Sequence, residues 1–140
     1  MGTTYNSTII NAPVDKVWRI LRDFHGIAGW AGAIEKAEPK GDAKADQVGA
    51  KRLLNDAIAE TLVDLNDDDH SMKYTIDSGP GPLEEMSEYV GAANAKPITA
   101  TGDTFVEWSS SWQGNDGPVT EFCNPIYQSL LADLKQAAEK

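Results

Sequence analysis

The stretch DTFVEWSSSWQ, residues 103–113, followed by PVTEFCNPIYQSLLADLKQAAE, residues 118–139, decides the architecture. In the first segment Thr104, Val106, Trp108, Ser110 and Trp112 fall on one face. Asp103, Phe105, Glu107, Ser109 and Ser111 fall on the other. Period-two alternation of this kind predicts a strand with one covered and one solvated face. In the second segment Val119, Phe122, Cys123, Ile126, Tyr127, Leu130, Leu131 and Leu134 form a broad apolar stripe at helical spacing, which predicts a long terminal helix. Pro125 lies inside it and is expected to kink it. A sheet and a long helix, each with one apolar face, must bury those faces against each other.

Working outward, the sequence predicts six further strands, at 3–10, 34–38, 48–54, 58–65, 71–78 and 87–96. In 71–78, Met72, Tyr74 and Ile76 share one face and Lys73, Thr75 and Asp77 the other. Between the first two strands, Val14, Val17, Trp18 and Leu21 recur at helical spacing, with Asn11 as the expected N-cap and Pro13 in the first turn. Residues 24–33 read as a short second helix or tight turn, weakened by glycines. The acidic run Asn66–Asp69 reads as a turn, and Gly79-Pro80-Gly81-Pro82 as a loop within 79–87 that has hinge points for a lid. The expected class is therefore α+β: a seven-stranded antiparallel sheet, two short helices after the first strand, and a long C-terminal helix. No linker or repeat divides residues 1–140, so one domain is expected. A twisted sheet around a helix leaves a concave gap suited to a small apolar ligand.

Composition narrows the function. The chain has 140 residues, 41% of them hydrophobic, enough for a single core without staples. Twelve basic against 22 acidic residues give a net charge of -10, which disfavours nucleic acid and anionic membranes as partners. There is no apolar run long enough for membrane insertion and no leader pattern at the N-terminus, so a cytoplasmic protein is expected. Cys123 is the only cysteine, which excludes an internal disulfide and a cysteine-based zinc site. Asp64, Asn66 and Asp68 suggest a calcium loop, but Asp69 stands where glycine is needed and Thr75 where the closing acid is needed. No P-loop, dinucleotide fingerprint or G-x-S-x-G elbow is present. Neither a metal nor a cofactor is expected, and the chain is expected as monomer or dimer.

Specific residues point further. Ile10-Asn11-Ala12-Pro13-Val14-Asp15-Lys16-Val17-Trp18 resembles the "APvdkVW" opening of the SRPBCC (START/Bet v1-like) superfamily. Asp23-Phe24-His25-Gly26-Ile27-Ala28-Gly29-Trp30 is similar to its "DF..l..W" continuation, Gly49-Ala50-Lys51-Arg52 to "G..R", and Ile58-Ala59-Glu60-Thr61-Leu62 to "i.E.L". Tyr74-Thr75-Ile76, Tyr89 and Val106-Glu107-Trp108 follow in the expected order. The resemblance covers nearly the whole chain and lies nearest the polyketide cyclase/dehydrase-like branch, which includes plant lachrymatory factor synthase. It implies a helix-grip fold, with the sheet wrapped around the C-terminal helix and a cavity between them. Asn55-Asp56-Ala57 replaces the usual Asp-Gly hairpin turn, and the 79–87 loop with its two Gly-Pro pairs is a further departure that bears on cavity access.

A three-residue loop at 55–57 sets Leu54 opposite Ile58, and so Arg52 opposite Glu60 on a face shared with Leu54, Ile58 and Leu62. The resemblance implies that Arg52, Glu60 and Tyr89 occupy site positions. In that enzyme the arginine and glutamate are assigned anion binding and proton transfer. The plainer reading of Arg52 and Glu60 is a cross-strand salt bridge. Tyr74, Trp108, Trp112 and Tyr127 are the expected cavity aromatics, each with an apolar body and one polar handle. Trp30, Leu62, Ile76, Phe122, Ile126 and Leu130 complete the expected ligand-binding set. Trp18 and Cys123 are expected in the core. His25 is expected to cap a helix, line the mouth or act as a base, and His70 to be exposed. The expected function is binding of a small hydrophobic or amphipathic molecule. The alternative is a cofactor-free cyclase, isomerase or lyase in which Glu60 moves a proton while Arg52 and Tyr89 stabilise negative charge. A third class, a partner-regulating module, would go with a filled cavity.

Overall fold

The computed structural model describes residues 1–140. Seven strands and two α-helices follow in the order β1 (Gly2–Ile10), α1 (Val14–Leu21), β2 (Ala37–Lys40), β3 (Lys51–Leu54), β4 (Ile58–Asn66), β5 (Ser71–Ser78), β6 (Ser87–Pro97), β7 (Thr104–Gln113) and α2 (Asp116–Ala138). A 3-10 segment at Phe24–Gly29 follows α1, and a second at Gly81–Glu85 sits in the loop before β6. All strand pairs are antiparallel, in the order β1-β7-β6-β5-β4-β3-β2. The sheet curves around α2, which packs against β1 and β7.

Large side chains sit beside small ones on the inner face, and this allows the sheet to close on the helix. Tyr74 on β5 is in register with Gly91 on β6, and Trp108 on β7 with Ala93. A β-carbon at Gly91 would fall 2.3 Å from Cζ of Tyr74. The Tyr74 ring therefore lies over the bare backbone of β6. Residues 104, 106, 108, 110 and 112 all face the core as the alternation predicted. Strand β4 carries an irregularity between Leu62 and Asp64. Val63 has no register partner there, which turns Leu62 inward and leaves Val63 exposed.

Several boundaries differ from expectation. Pro13, extended at φ -64° and ψ 149°, precedes α1 as its cap, and Asn11 does not fill that role. The backbone N–H of Asn11 instead donates to Glu139 Oε2 at the end of α2. Strand β2 begins at Ala37 rather than at residue 34, because Ile34 turns into the core and Asn55 clasps the preceding loop. Asn55 Oδ1 accepts from the N–H groups of Glu35 and Lys36, and its Nδ2 donates to Ala33 O. Strand β3 starts at Lys51 rather than 48, after Gly49 at φ +99°, a conformation glycine adopts without strain. The 79–87 loop is not irregular throughout: its 3-10 turn buries Leu83, and Asn115 Nδ2 holds it through Pro82 O. Helix α2 continues through Pro125 without a break. His70 is half-buried rather than exposed, its ring centroid 5.8 Å from that of Trp18. Asp67 accepts from Trp18 Nε1 and from Arg22, tying the 66–70 turn to α1.

The contact of Tyr74 with Gly91 gives a direct test of the packing. Gly91→Ala should destabilise the fold by about 1–3 kcal/mol in chemical denaturation, since the added methyl meets a ring held on both sides. A neutral result would mean that Tyr74 moves freely.

Candidate functional site

A cavity of ≈ 270 Å³ opens between the inner face of β3, β4 and β5 and one side of α2. All but four of its 19 lining residues are hydrophobic, so a bound molecule would meet mainly apolar surface. Leu54 and Ile58 come from the β3–β4 hairpin, Tyr74 and Ile76 from β5, and Trp108 from β7. Phe122, Ile126, Tyr127 and Leu130 come from α2, at spacings that put them on one helical face. The lining residues that are exposed to solvent are Ala33, together with Asn55 and Ala57 of the hairpin turn and Pro80 of the loop before β6, with Ile34 and Leu83 buried beside them.

Two charges face this apolar space. Arg52 and Glu60 oppose each other in the β3–β4 ladder, in the register the hairpin count predicts. Their side chains are only 3% and 7% exposed. Arg52 Nε donates to Glu60 Oε1 at 2.8 Å, and Nη2 reaches the same oxygen at 2.7 Å. Nη1 donates to the backbone carbonyl of Phe24 at 2.8 Å, and the guanidinium carbon lies 3.8 Å from the Phe24 ring centroid. Nε and Nη1 are thus hydrogen-bonded, and Nη2 is held at ion-pair distance. Glu60 Oε2 has no protein partner. Burial pushes the Glu60 carboxyl above the ordinary carboxylate range; Arg52 offsets this in part, and the charge of Asp77 adds to it. Removing either partner of such a pair strands a buried charge, at a cost of about 3–5 kcal/mol.

Three phenols form the other polar element. Tyr127 on α2 is hydrogen-bonded through its hydroxyl to Tyr74 at 2.7 Å and to Tyr89 at 2.5 Å. Trp108 Nε1 donates to the Tyr74 hydroxyl at 3.0 Å. Burial raises the pKa of all three phenols, so they remain neutral donors and acceptors at physiological pH. The cluster bridges β5, β6 and β7 to α2 across the core.

The cavity thus brings together nine of the residues singled out from the sequence: Arg52, Glu60, Tyr74, Ile76, Trp108, Phe122, Ile126, Tyr127 and Leu130. Four do not reach it. Tyr89 stacks on Trp112, with ring centroids 5.6 Å apart and planes 12° from parallel, and it stands behind the lining residue Tyr127, to which its hydroxyl is bonded. Trp112 packs over Gly2, where a β-carbon would lie 2.2 Å from its ring. Leu62 is fully buried beyond Glu60 on the same strand face, in solid core. Trp30 follows the first 3-10 segment and packs against the core outside the lining, with its Nε1 buried and unpartnered. His25 is also spoken for: its Nε2 lies 3.0 Å from Lys51 O.

Sequence reasoning passed over Ile27, Ile34, Leu54, Ile58, Leu83 and Cys123 as lining residues. Leu54 and Ile58 were legible, since they share the face of Arg52 and Glu60. Ile34 and Leu83 sit in loops, where no periodicity marks an inward turn. No group of three or more His, Cys, Asp or Glu side chains is placed to hold a metal ion.

Comparison with known proteins agrees with this geometry. Residues 1–139 match the family described as polyketide cyclase / dehydrase and lipid transport. A solved structure of a protein from Nitrosospira multiformis is similar at 36% identity and TM-score 0.93, covering 97% of this chain and 95% of that one. XoxI from Bacillus cereus is similar at 24% identity and TM-score 0.79, over 99% and 96% of the two chains. Ginseng major latex-like protein 151 from Panax ginseng is similar at 18% identity and TM-score 0.80, over 99% and 98%, a likeness of fold alone. No curated protein matches the chain. No helix is long and apolar enough to cross a membrane. A full-length family match on a seven-stranded antiparallel sheet that grips a C-terminal helix shows that the chain belongs to the polyketide cyclase / dehydrase and lipid transport family, within the SRPBCC superfamily.

Proposed function

We propose that the protein binds a small hydrophobic or amphipathic molecule in the cavity between the sheet and α2. The observation that carries this reading is an apolar space of ≈ 270 Å³ that contains one buried ion pair. Apolar walls supply most of the affinity by burial, and a few polar groups fix the orientation. The family's description, which includes lipid transport, supports ligand binding in general. The volume sets the scale. It is about twice the ~150 Å³ of an engineered cavity that holds benzene, so a molecule of one or two rings fits inside it.

A second reading, cofactor-free proton transfer as in a cyclase, isomerase or lyase, is favoured by one specific feature. Glu60 offers a free carboxylate oxygen to an apolar space, and its pKa is raised toward the range of a general base. In this reading Tyr74 and Tyr127 line the cavity and would meet developing negative charge. Tyr89 would act behind Tyr127, and Arg52 would hold Glu60 in place.

Native mass spectrometry of the purified protein, followed by extraction, tests the binding reading. A co-purifying apolar molecule is expected, or else a thermal shift with members of a panel of one- and two-ring compounds. At a hundredfold excess over Kd the stabilisation is about 2.7 kcal/mol, or roughly 5–10 °C in Tm. Ile126→Trp should fill the cavity and abolish that shift while leaving the far-ultraviolet circular dichroism unchanged. An empty protein that responds to no member of the panel would overturn the reading.

The Glu60 carboxyl, followed by carbon-13 NMR, should titrate above the ~4.3 of a free glutamate side chain, and Arg52→Ala should move it higher still. Because its folded-state pKa is raised, Glu60 contributes most favourably below the ordinary carboxylate range, and that contribution is lost as pH rises through the raised value. Asp67 and Glu139, both lowered by cationic partners, act in the opposite sense and lose their contribution on acidification. A Glu60 midpoint at or below the free value would contradict the desolvated site.

A further inference from the structure

The ligand's charge and one of its functional groups can be read from the ion pair, on the basis of the binding reading above. Arg52 and Glu60 are the only charged residues in the cavity lining. Their charges cancel, but the pair is not symmetric toward the space it faces. Arg52 is anchored on two sides: Nε donates to Glu60 Oε1 and Nη1 to Phe24 O, while Nη2 lies 2.7 Å from Oε1 within the ion pair and the guanidinium lies over the Phe24 ring. Its charge is already matched by Glu60, and swinging it toward an incoming anion would break the bond from Nε to Oε1 and leave a carboxylate buried and unpaired. The atom left over is Glu60 Oε2, which accepts hydrogen bonds and does not donate them while ionised.

A ligand carboxylate seated here would bring a second negative charge against Oε2 in a low-dielectric space. The whole chain, at -10, opposes its entry as well. A neutral molecule with an O–H or N–H would instead give Oε2 the partner it lacks. The other polar wall presents no competing charge, since Tyr74 and Tyr127 are neutral and already bonded to each other.

We infer that the cavity selects a neutral one- or two-ring molecule bearing a hydroxyl or enol O–H that donates to Glu60 Oε2, and that it rejects a carboxylate of the same size. Arg52 positions Glu60 and does not bind the ligand's anion. This departs from the anion-binding role that the family resemblance implied for Arg52.

Three probes with one skeleton test this by calorimetry at neutral pH: 2-naphthol, naphthalene and 2-naphthoate. The expected order of affinity is naphthol, then naphthalene, then naphthoate, with naphthol about ten-fold or more above naphthoate, because a site built for a donor discriminates against analogues that leave its polar atom unpaired. Naphthoate binding as tightly as naphthol would overturn the inference while leaving the cavity reading intact. Naphthol equal to naphthalene would overturn the hydrogen bond to Oε2. Failure of all three, naphthalene included, would overturn the inference and the cavity reading together.

Glu60→Gln removes the repelling charge and leaves Arg52 positive, so it should narrow or reverse the gap between naphthol and naphthoate. The paired replacement Arg52→Met with Glu60→Leu keeps the site apolar without a stranded charge. It should abolish the preference of naphthol over naphthalene while retaining naphthalene binding. Retention of that preference in the paired variant would locate the donor contact elsewhere and refute the role of Glu60.

Discussion

A charge can remain inside an apolar cavity only with a partner, and in this protein that constraint joins structure to chemistry. Arg52 reaches Glu60 across the β3–β4 ladder and the Phe24 carbonyl after α1, so one guanidinium ties two strands to the segment that follows the first helix. The same bonds fix which atoms face the ligand. Both guanidinium contacts with Glu60 fall on Oε1, and Oε2 is left to the cavity. An exposed pair on the same strands would be worth little and would orient nothing. Burial gives the pair its geometric precision and raises the Glu60 pKa.

The phenol cluster is the counterpart on the helix side. Tyr127 cannot place its hydroxyl in the core without acceptors and donors, and Tyr74, Tyr89 and Trp108 supply the network. The network fits because β6 is small-sided: Gly91 and Ala93 lie beside Tyr74 and Trp108. Large rings over bare backbone leave room for α2 without forcing the sheet flat. The cavity exists where this close packing stops, over β3, β4 and β5, and side chains of α2, Phe122, Ile126 and Leu130 among them, face it without filling it. Function on such a fold lies in those lining residues and not in the fold itself.

Much of this was legible in residue order. The alternation in 103–113, the apolar stripe in 118–139 and the three-residue turn at 55–57 are local patterns with fixed periods, and each specified its element and register. The pairing of Arg52 with Glu60 followed by counting outward from that turn. The boundaries that moved did so for non-local reasons. Asn11 was drawn to Glu139 at the other end of the chain, and the start of β2 was set by Asn55 reaching back to residues 33–36. The spacing of Leu62 and Leu65 signals the irregularity at Val63, since strict alternation would have put one of them outside.

Sequence alone determined the class, the strand count, the long C-terminal helix, the ion pair's register and the apolar faces, because each rests on periodicity within a few residues. Tertiary structure decided which apolar residues line a space and which fill the core. Tyr89, Trp112 and Leu62 carry inward-facing patterns like those of Tyr74, Trp108 and Ile76, yet only the latter three reach the cavity. Which inward side chain meets a void depends on how far α2 stands from each strand. That distance is set by the summed volumes of residues remote in sequence, such as Gly91 beneath Tyr74 and Gly2 beneath Trp112.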